Sequence, residues 1–129
     1  MTPSCSRRRS RGRARAFSSS FEAARPRLER FLRFGVTTVE VKSGYGLSLA
    51  DEIKCLEAIT ELNAEGPLEL VPTFLGAHAV PAEYKADRAG YLRLLCDDML
   101  PEVARCGLAE FCDVFCEAGV FSLVHVSGD

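Results

Sequence analysis

The chain has 129 residues, with 16 basic and 18 acidic side chains and 47% hydrophobic residues. This length suffices for one domain and is too short for most enzymes built on large barrels, while the composition is ordinary for a soluble globular protein. No run of 18 apolar residues occurs, which excludes a membrane-spanning helix of the usual length.

The charge is distributed unevenly along the chain. Residues 1–20 contain six arginines and no acidic residue, whereas the remainder contains ten basic and eighteen acidic residues. We therefore divide the chain into an arginine- and serine-rich arm, residues 1–20, and a domain, residues 21–129. The arm has almost no apolar periodicity, so we expect it to be disordered. Its composition fits a mitochondrial-type presequence, a nucleic-acid-binding arm, or non-native sequence that precedes the domain.

The six cysteines predict buried free thiols rather than a disulfide framework. Most of them lie in apolar periodic stretches, and no apolar signal segment precedes them. A reducing, cytoplasmic location is therefore favoured, with mitochondrial targeting by the arm as the alternative. Cys112 and Cys116 are four residues apart in a predicted strand, where such positions lie about 13 Å apart. We do not expect one metal ion to bind both thiols.

The domain opens with a predicted helix that ends before Gly35. One face of this helix carries Phe21, Ala24, Leu28, Phe31 and Leu32. Pro26 should lie in the first turn of the helix or break it, because proline cannot donate a backbone hydrogen bond.

Three predicted strands follow, each rich in β-branched or aromatic residues. They are Val36–Val41, Leu68–Leu75 and Phe111–Cys116. The first two are apolar enough to be buried on both faces of a sheet. Pro72 is unusual inside a strand and should lie at an irregular point.

Two further helices are predicted between these strands. Ser48 and Asp51 resemble a capping box at the start of the first, which Gly66 and Pro67 end. The second begins near Arg88 with Asp87 as a cap, is broken or restarted at Pro101, and ends at Gly107. Its inward face is expected to carry Tyr91, Leu94, Leu95 and Cys96.

The alternation of helices and strands predicts an α/β fold. The strands begin near residues 36, 69 and 111, a spacing that suits right-handed βαβ crossovers and a parallel sheet. It also suits a (β/α)8 TIM barrel, which takes about 250 residues for eight units. We therefore predict a partial TIM-barrel-like sheet of about three strand–helix units. Three strands cannot close a barrel, so self-association through open sheet edges is expected.

Side chains with useful chemistry follow each predicted strand directly. They are Lys42, Ser43, Tyr45, His78 and Glu117. Ligands gather beyond the carboxyl ends of parallel strands, so this group is a candidate site. His78 fits a ligand contact and a histidine satisfied by backbone equally well, whereas ion pairs explain Lys42 and Glu117 more readily. His125 follows no clear strand and is interpreted as structural. No His-x-His pair, nucleophile elbow, P-loop or dinucleotide fingerprint is present.

Three sequence strings resemble the imidazolonepropionase family in the same order. They are GVTTVEVKSGYGL at 35–47, TFLGAHAVPAEY at 73–84 and DVFCE at 113–117. The resemblance covers about residues 22–122 and indicates an internal piece of such an enzyme. It implies a metal-dependent amidohydrolase with a barrel fold. The reaction would hydrolyse the ring amide C–N bond of 4-imidazolone-5-propanoate to N-formimidoyl-L-glutamate, in histidine degradation.

The resemblance also implies roles for particular residues. Tyr45 and His78 match the family's substrate contacts, and zinc or iron would activate the attacking water. The family's metal ligands are a His-x-His pair before this region and a histidine and an aspartate after it, and none matches this sequence. The resemblance therefore assigns no metal ligand and no catalytic residue here, and the 129-residue chain alone is expected to be inactive. The alternatives are a truncated form acting by association and, less favoured, nucleic-acid binding through the arm.

Overall fold

Helices and strands alternate along the chain in a computed structural model that describes residues 13–117 and 120–121. The elements are α1 (Arg13–Arg33), β1 (Thr38–Lys42), α2 (Leu49–Glu65), β2 (Glu69–Ala77), α3 (Arg88–Arg93), α4 (Leu100–Cys106) and β3 (Phe111–Val114). A 3-10 turn at Ala82–Tyr84 follows β2, and a π-helical segment at Leu94–Met99 joins α3 to α4. The predicted α/β class is confirmed.

The three strands form one parallel sheet in the order β1-β2-β3. The β1–β2 register runs from Thr38 opposite Glu69 to Lys42 opposite Thr73. Between β2 and β3 the register shifts after Phe74. Because all strands are parallel, their carboxyl ends meet at one edge of the sheet. This arrangement is consistent with the predicted part of a TIM-like barrel.

The first helix differs from its predicted form. It begins at Arg13, so the last eight positions of the predicted arm belong to it, while residues 1–12 lie outside the described residues. Pro26 lies well inside the helix and does not break it, so its predicted position was wrong. A proline removes one backbone hydrogen bond, and the turns on either side of Pro26 continue the helix. Phe31, expected to face inward, is 43% exposed, whereas Leu28 and Leu32 pack against the core.

The predicted start of α2 is confirmed. Ser48 has extended backbone angles, and its hydroxyl oxygen accepts the Asp51 N–H at 3.2 Å. The same hydroxyl donates to the Asp51 carboxylate at 3.0 Å, so side chain and backbone both close the first turn. Gly66 follows the last residue of the helix, as predicted.

The helical region between β2 and β3 has three parts. Asp87 caps α3 by accepting the Gly90 N–H at 2.8 Å, as predicted, and Gly107 ends α4 with a positive φ of 61°. Between them the helix widens into the π-helical segment, which ends two residues before Pro101. A proline ring clashes with the carbonyl four residues earlier, and a wider turn relieves that clash. Cys96 is exposed, contrary to its predicted inward position.

The core lies between the sheet and the helices that cover one of its faces. It contains Leu56, Ile59, Leu68, Leu70, Phe74, Tyr91, Leu95, Met99, Val103 and Phe121. Among the described cysteines, Cys55 and Cys106 are half-buried, and all five are free. Free thiols are therefore confirmed, but Cys96, Cys112 and Cys116 are exposed rather than buried. No described helix combines the length and apolarity that a membrane crossing requires.

The opposite face of β1 is polar, although its β-branched residues indicated a strand apolar enough for burial on both faces. In β1 the residues Thr38, Glu40 and Lys42 are exposed and alternate with half-buried valines. Thr38 donates to Glu69 at 2.8 Å and Thr73 donates to Glu40 at 2.8 Å. Side-chain hydrogen bonds between strands thus cover a face that no described helix packs against.

Pro72 is accommodated in β2 by its position relative to β3. Its carbonyl accepts the Glu110 N–H at 2.9 Å, so this residue faces β3. The donor that proline lacks would point the same way, towards the chain just before β3 begins. The strand therefore loses no hydrogen bond that the β1–β2 pairing needs.

Candidate functional site

The loop after β1 is fastened to β2 by Ser43. This residue is buried, and its N–H donates to the Thr73 carbonyl at 3.0 Å. Its hydroxyl oxygen accepts the Leu75 N–H at 3.1 Å. Ser43 was singled out as a candidate site residue, and the structure gives it a role in anchoring the loop.

Glu52, in the first turn of α2, holds the remainder of this loop. Its side chain is fully buried and accepts three backbone N–H groups. The donors are Gly44 at 3.0 Å, Gly46 at 2.8 Å and Leu47 at 3.0 Å. Sequence reasoning missed Glu52, although an acidic residue one turn into a helix after a Gly-x-Gly loop is a usable signal.

Three aromatic rings meet at the carboxyl edge of the sheet. Tyr45, 84% exposed, packs edge-on against His78 with 4.7 Å between ring centroids. Phe115, which directly follows β3, packs edge-on against His78 at 5.5 Å. The predicted meeting of Tyr45 and His78 at one end of the sheet is confirmed, whereas Phe115 was not foreseen. His78 thus lies between rings supplied by the two neighbouring strands.

The His78 ring has an unused hydrogen-bonding atom. Its Nδ1 is buried and has no hydrogen-bond partner within the part of the chain that the structure describes. A buried polar atom without a partner costs about 1–3 kcal/mol. At Nδ1, therefore, the described residues do not satisfy His78, in contrast to a histidine satisfied by neighbouring backbone.

Lys42 forms an ion pair, as the sequence suggested, and its nearer partner is Asp113 rather than the neighbouring Glu40. Its ammonium lies 2.6 Å from the Asp113 carboxylate and 3.6 Å from Glu40. The hydrogen bond with Asp113 raises the pKa of Lys42, and Lys42 in turn lowers the pKa of Asp113. A raised pKa keeps the amine protonated, which suits a lysine held in an ion pair.

The remaining candidates contribute little to the site. Glu117 is exposed, and within residues 13–117 and 120–121 no ion pair to it is found, so its predicted pairing is not seen. Its N–H donates to the Phe121 carbonyl at 3.0 Å. His125 lies outside the described residues.

An open depression of about 540 Å³ adjoins the aromatic cluster. Its walls include His78, Val80, Lys85, Arg88, Phe115 and Val120. Two of these residues, Lys85 and Arg88, are positively charged, and none of the described residues that line the space is acidic. Such a depression favours a small ligand that has both a flat ring and a negative charge.

The described residues do not form a metal centre. Within them, no group of three or more histidine, cysteine, aspartate or glutamate side chains is placed to hold one ion. A catalytic zinc site uses three protein ligands. The donor set around His78 therefore does not fit the zinc or iron that the family resemblance implies.

Tyr91 supports the strand end that carries His78. It is fully buried, and its hydroxyl donates to the Gly76 carbonyl at 2.9 Å, two residues before His78. Burial raises the pKa of Tyr91 to about 12, and the nearby Glu52 carboxylate adds to the shift. The folded chain therefore keeps this phenol neutral at pH values where an exposed phenol ionises.

Replacing Tyr91 with phenylalanine is expected to lower the free energy of unfolding by about 1–3 kcal/mol at neutral pH, because Gly76 loses this donor. The raised pKa stabilises the wild-type fold fully below pH 10, and that contribution disappears as the pH rises towards 12. The variant has no phenol to ionise, so the stability difference should shrink over this range. Urea unfolding at several pH values measures it, and a pH-independent difference would contradict the assignment.

The sequence of the chain is similar to those of known proteins. No protein-family model matches the chain. The imidazolonepropionase of Alkaliphilus metalliredigens is 60% identical over 98 residues, which is 76% of this chain and 23% of that protein. That of Geobacillus thermodenitrificans is 60% identical over 102 residues, covering 79% and 24%. The Myxococcus xanthus protein is 58% identical over 100 residues, covering 78% and 24%.

The chain thus spans about a quarter of the length of the curated relatives it matches. The matches take in most of the chain and span 98 to 102 residues, close to the length of the predicted resemblance, residues 22–122. The resemblance to the imidazolonepropionases that the sequence strings indicated is therefore confirmed, over a segment of those proteins.

Proposed function

We propose that this chain supplies the substrate-contacting sheet edge of an imidazolonepropionase. That enzyme hydrolyses the ring amide C–N bond of 4-imidazolone-5-propanoate and yields N-formimidoyl-L-glutamate. The observation that carries the proposal is the contact between Tyr45 and His78, which have adjacent strand-end positions and a ring separation of 4.7 Å. Both residues match the family's substrate contacts.

The chemistry of this edge suits the proposed substrate. The substrate has a flat, polar ring and a carboxylate on a short chain. Edge-on aromatic contacts such as those of Tyr45 and Phe115 favour a flat ring, and the unpaired Nδ1 of His78 offers it a hydrogen-bonding position. Lys85 and Arg88 in the adjoining depression favour the carboxylate.

The family's metal, proposed as zinc or iron, supplies water activation in such enzymes. Because the described residues do not fit a metal, we derive no step of hydrolysis from them. We propose that the 129-residue chain binds the substrate ring but does not turn it over. The proposed location is cytoplasmic, and the relatives give no support to nucleic-acid binding by the arm.

Binding of a stable analogue tests this proposal. The probe is 3-(imidazol-4-yl)propanoate, which keeps a five-membered ring and the carboxylate. We expect the analogue to shift the NMR signals of Tyr45 and His78. We expect His78→Ala to weaken its binding about tenfold or more, because one good polar contact is lost. Glu57→Gln, an exposed change on α2, serves as the control.

Two results would count against the proposal. In one, the analogue shifts no signals at the sheet edge of the folded wild-type chain. In the other, His78→Ala binds the analogue as tightly as the control variant does.

A further inference from the structure

We infer that Glu52 is a positioning residue that holds Tyr45 against His78. The inference rests on the proposed function for the use that Tyr45 has, but the ring contact itself can be measured without any ligand. Tyr45 is an exposed side chain that is nevertheless kept in one place.

Tyr45 cannot be held by its own packing. Its side chain is 84% exposed, and the ring contact that the structure shows is the one with His78. A single edge-on aromatic pair is worth about 0.5–1.5 kcal/mol, comparable with thermal energy and with the entropy of fixing a side chain. The position of the ring must therefore come from the backbone that carries it.

The Glu52 carboxylate fixes that backbone on both sides of Tyr45. Oε2 accepts the N–H of Gly44, the preceding residue, and Oε1 accepts the N–H groups of Gly46 and Leu47, which follow. Leu47 has a φ of 55°, a left-handed conformation that a leucine rarely adopts. The bond from its N–H to Glu52 helps to maintain this conformation, and with it the turn that projects Tyr45.

Only a carboxylate suits this arrangement. Its two oxygens accept all three N–H groups, whereas a glutamine offers one accepting oxygen and places an NH2 donor against the remaining N–H. Hydrogen bonds to a charged acceptor are also stronger than neutral ones, and the amino end of α2 stabilises a negative charge. Glu52→Gln therefore changes little in shape and removes the match between acceptor and donors.

The main test compares Glu52→Gln with Glu57→Gln, a change of the same chemistry on the exposed side of α2. The readout is the nuclear Overhauser effect between the Tyr45 and His78 ring protons in the ligand-free chain. We expect Glu52→Gln to lose this signal and Glu57→Gln to keep it. Binding of the analogue should weaken about tenfold in Glu52→Gln only, because Tyr45 is then mispositioned.

A third variant separates positioning from general stability. Ile59→Val removes one methylene from the core on α2, which lowers stability without touching the loop. It should keep the Tyr45–His78 signal even where its midpoint of unfolding falls as far as that of Glu52→Gln. Loss of the signal in Ile59→Val to the same degree would overturn the inference, because the effect would then be one of stability alone.

Gly46→Ala provides a second test, of the attachment of the loop to α2, if Glu52→Gln does not fold. An added Cβ at Gly46 would lie 2.6 Å from the Glu52 backbone nitrogen and 2.7 Å from the Asp51 carbonyl carbon, so it pushes the loop off α2 and leaves the carboxylate intact. We expect it to lose the ring signal as well. A folded Glu52→Gln or Gly46→Ala that keeps the signal would overturn the inference. If the wild type fails to bind the analogue while these variants still lose the signal, the proposed function fails and the positioning role stands.

Discussion

Alanine at Gly44 is expected to destabilise the chain by about 2–5 kcal/mol, a large part of the stability of an ordinary domain. Gly44 has a φ of 116°, a conformation that residues with a Cβ rarely adopt. A Cβ there would lie 2.7 Å from the Leu75 carbonyl oxygen and 3.0 Å from the His78 Cβ. Because the closest atom is backbone, no side chain can rotate to make room.

Two other glycines provide matched controls for this substitution. Gly66→Ala should change stability by less than about 1 kcal/mol, because its φ is −113° and the nearest atom lies 3.8 Å away. Gly35→Ala tests strain alone, since this residue has a φ of 80° with nothing within 4 Å of an added Cβ. From highest to lowest urea midpoint, the expected order is Gly66→Ala, then Gly35→Ala, then Gly44→Ala. Equal midpoints for Gly44→Ala and Gly66→Ala would show that the loop does not adopt this conformation.

The position of the candidate site was predictable because it depends on topology alone. Parallel strands place their carboxyl ends at one edge, so residues that directly follow β1 and β2 must be neighbours. Tyr45 and His78 satisfy that condition whatever the exact strand ends are. The observed limits, Thr38–Lys42 and Glu69–Ala77, differ from the predicted ones by one or two residues and leave the site intact.

The supporting residues were harder to predict because they depend on distances between elements. Glu52 lies on the helix rather than in the loop, and only the folded turn brings its carboxylate to three N–H groups. Phe115 follows a strand whose register shifts against β2, and this shift decides where its ring lies. The register shift leaves no pattern in the amino-acid order, and the sequence signal for Glu52, an acidic residue one turn into a helix after a Gly-x-Gly loop, does not show which N–H groups its carboxylate reaches.

The polarity of the open sheet face was misjudged for a different reason. The β-branched residues of β1 suggested a strand apolar enough for burial on both sides, although Thr38, Glu40 and Lys42 alternate with valines there. Their partners, Glu69, Thr73 and Asp113, come from two other strands. Whether a polar side chain in a strand finds a hydrogen-bond partner depends on its cross-strand neighbour. That neighbour follows from the strand register, which the amino-acid order alone does not specify.

The 129-residue chain is expected to self-associate through its sheet edges. In the described part of the chain β1 and β3 each pair on one side only, so both present a row of unpaired N–H and C=O groups. The strand edges and the exposed rings beside them are the features that favour association. Phe111, on β3, is 60% exposed. We expect oligomers whose proportion rises with protein concentration in sedimentation velocity.

A charge on the edge strand should oppose this association, because lysine on an exposed edge disfavours pairing with a second chain. Phe111→Lys is therefore expected to shift the sedimentation profile towards monomer. Phe34→Lys is the matched control, since Phe34 is 79% exposed but lies between α1 and β1 rather than on an edge strand. Phe34→Lys removes an exposed phenylalanine ring and adds one positive charge, as Phe111→Lys does. An equal shift of the sedimentation profile in both variants would therefore point to general hydrophobic association. A wild-type chain that stays monomeric at every concentration, with a cooperative thermal transition, would mean that both edges are protected.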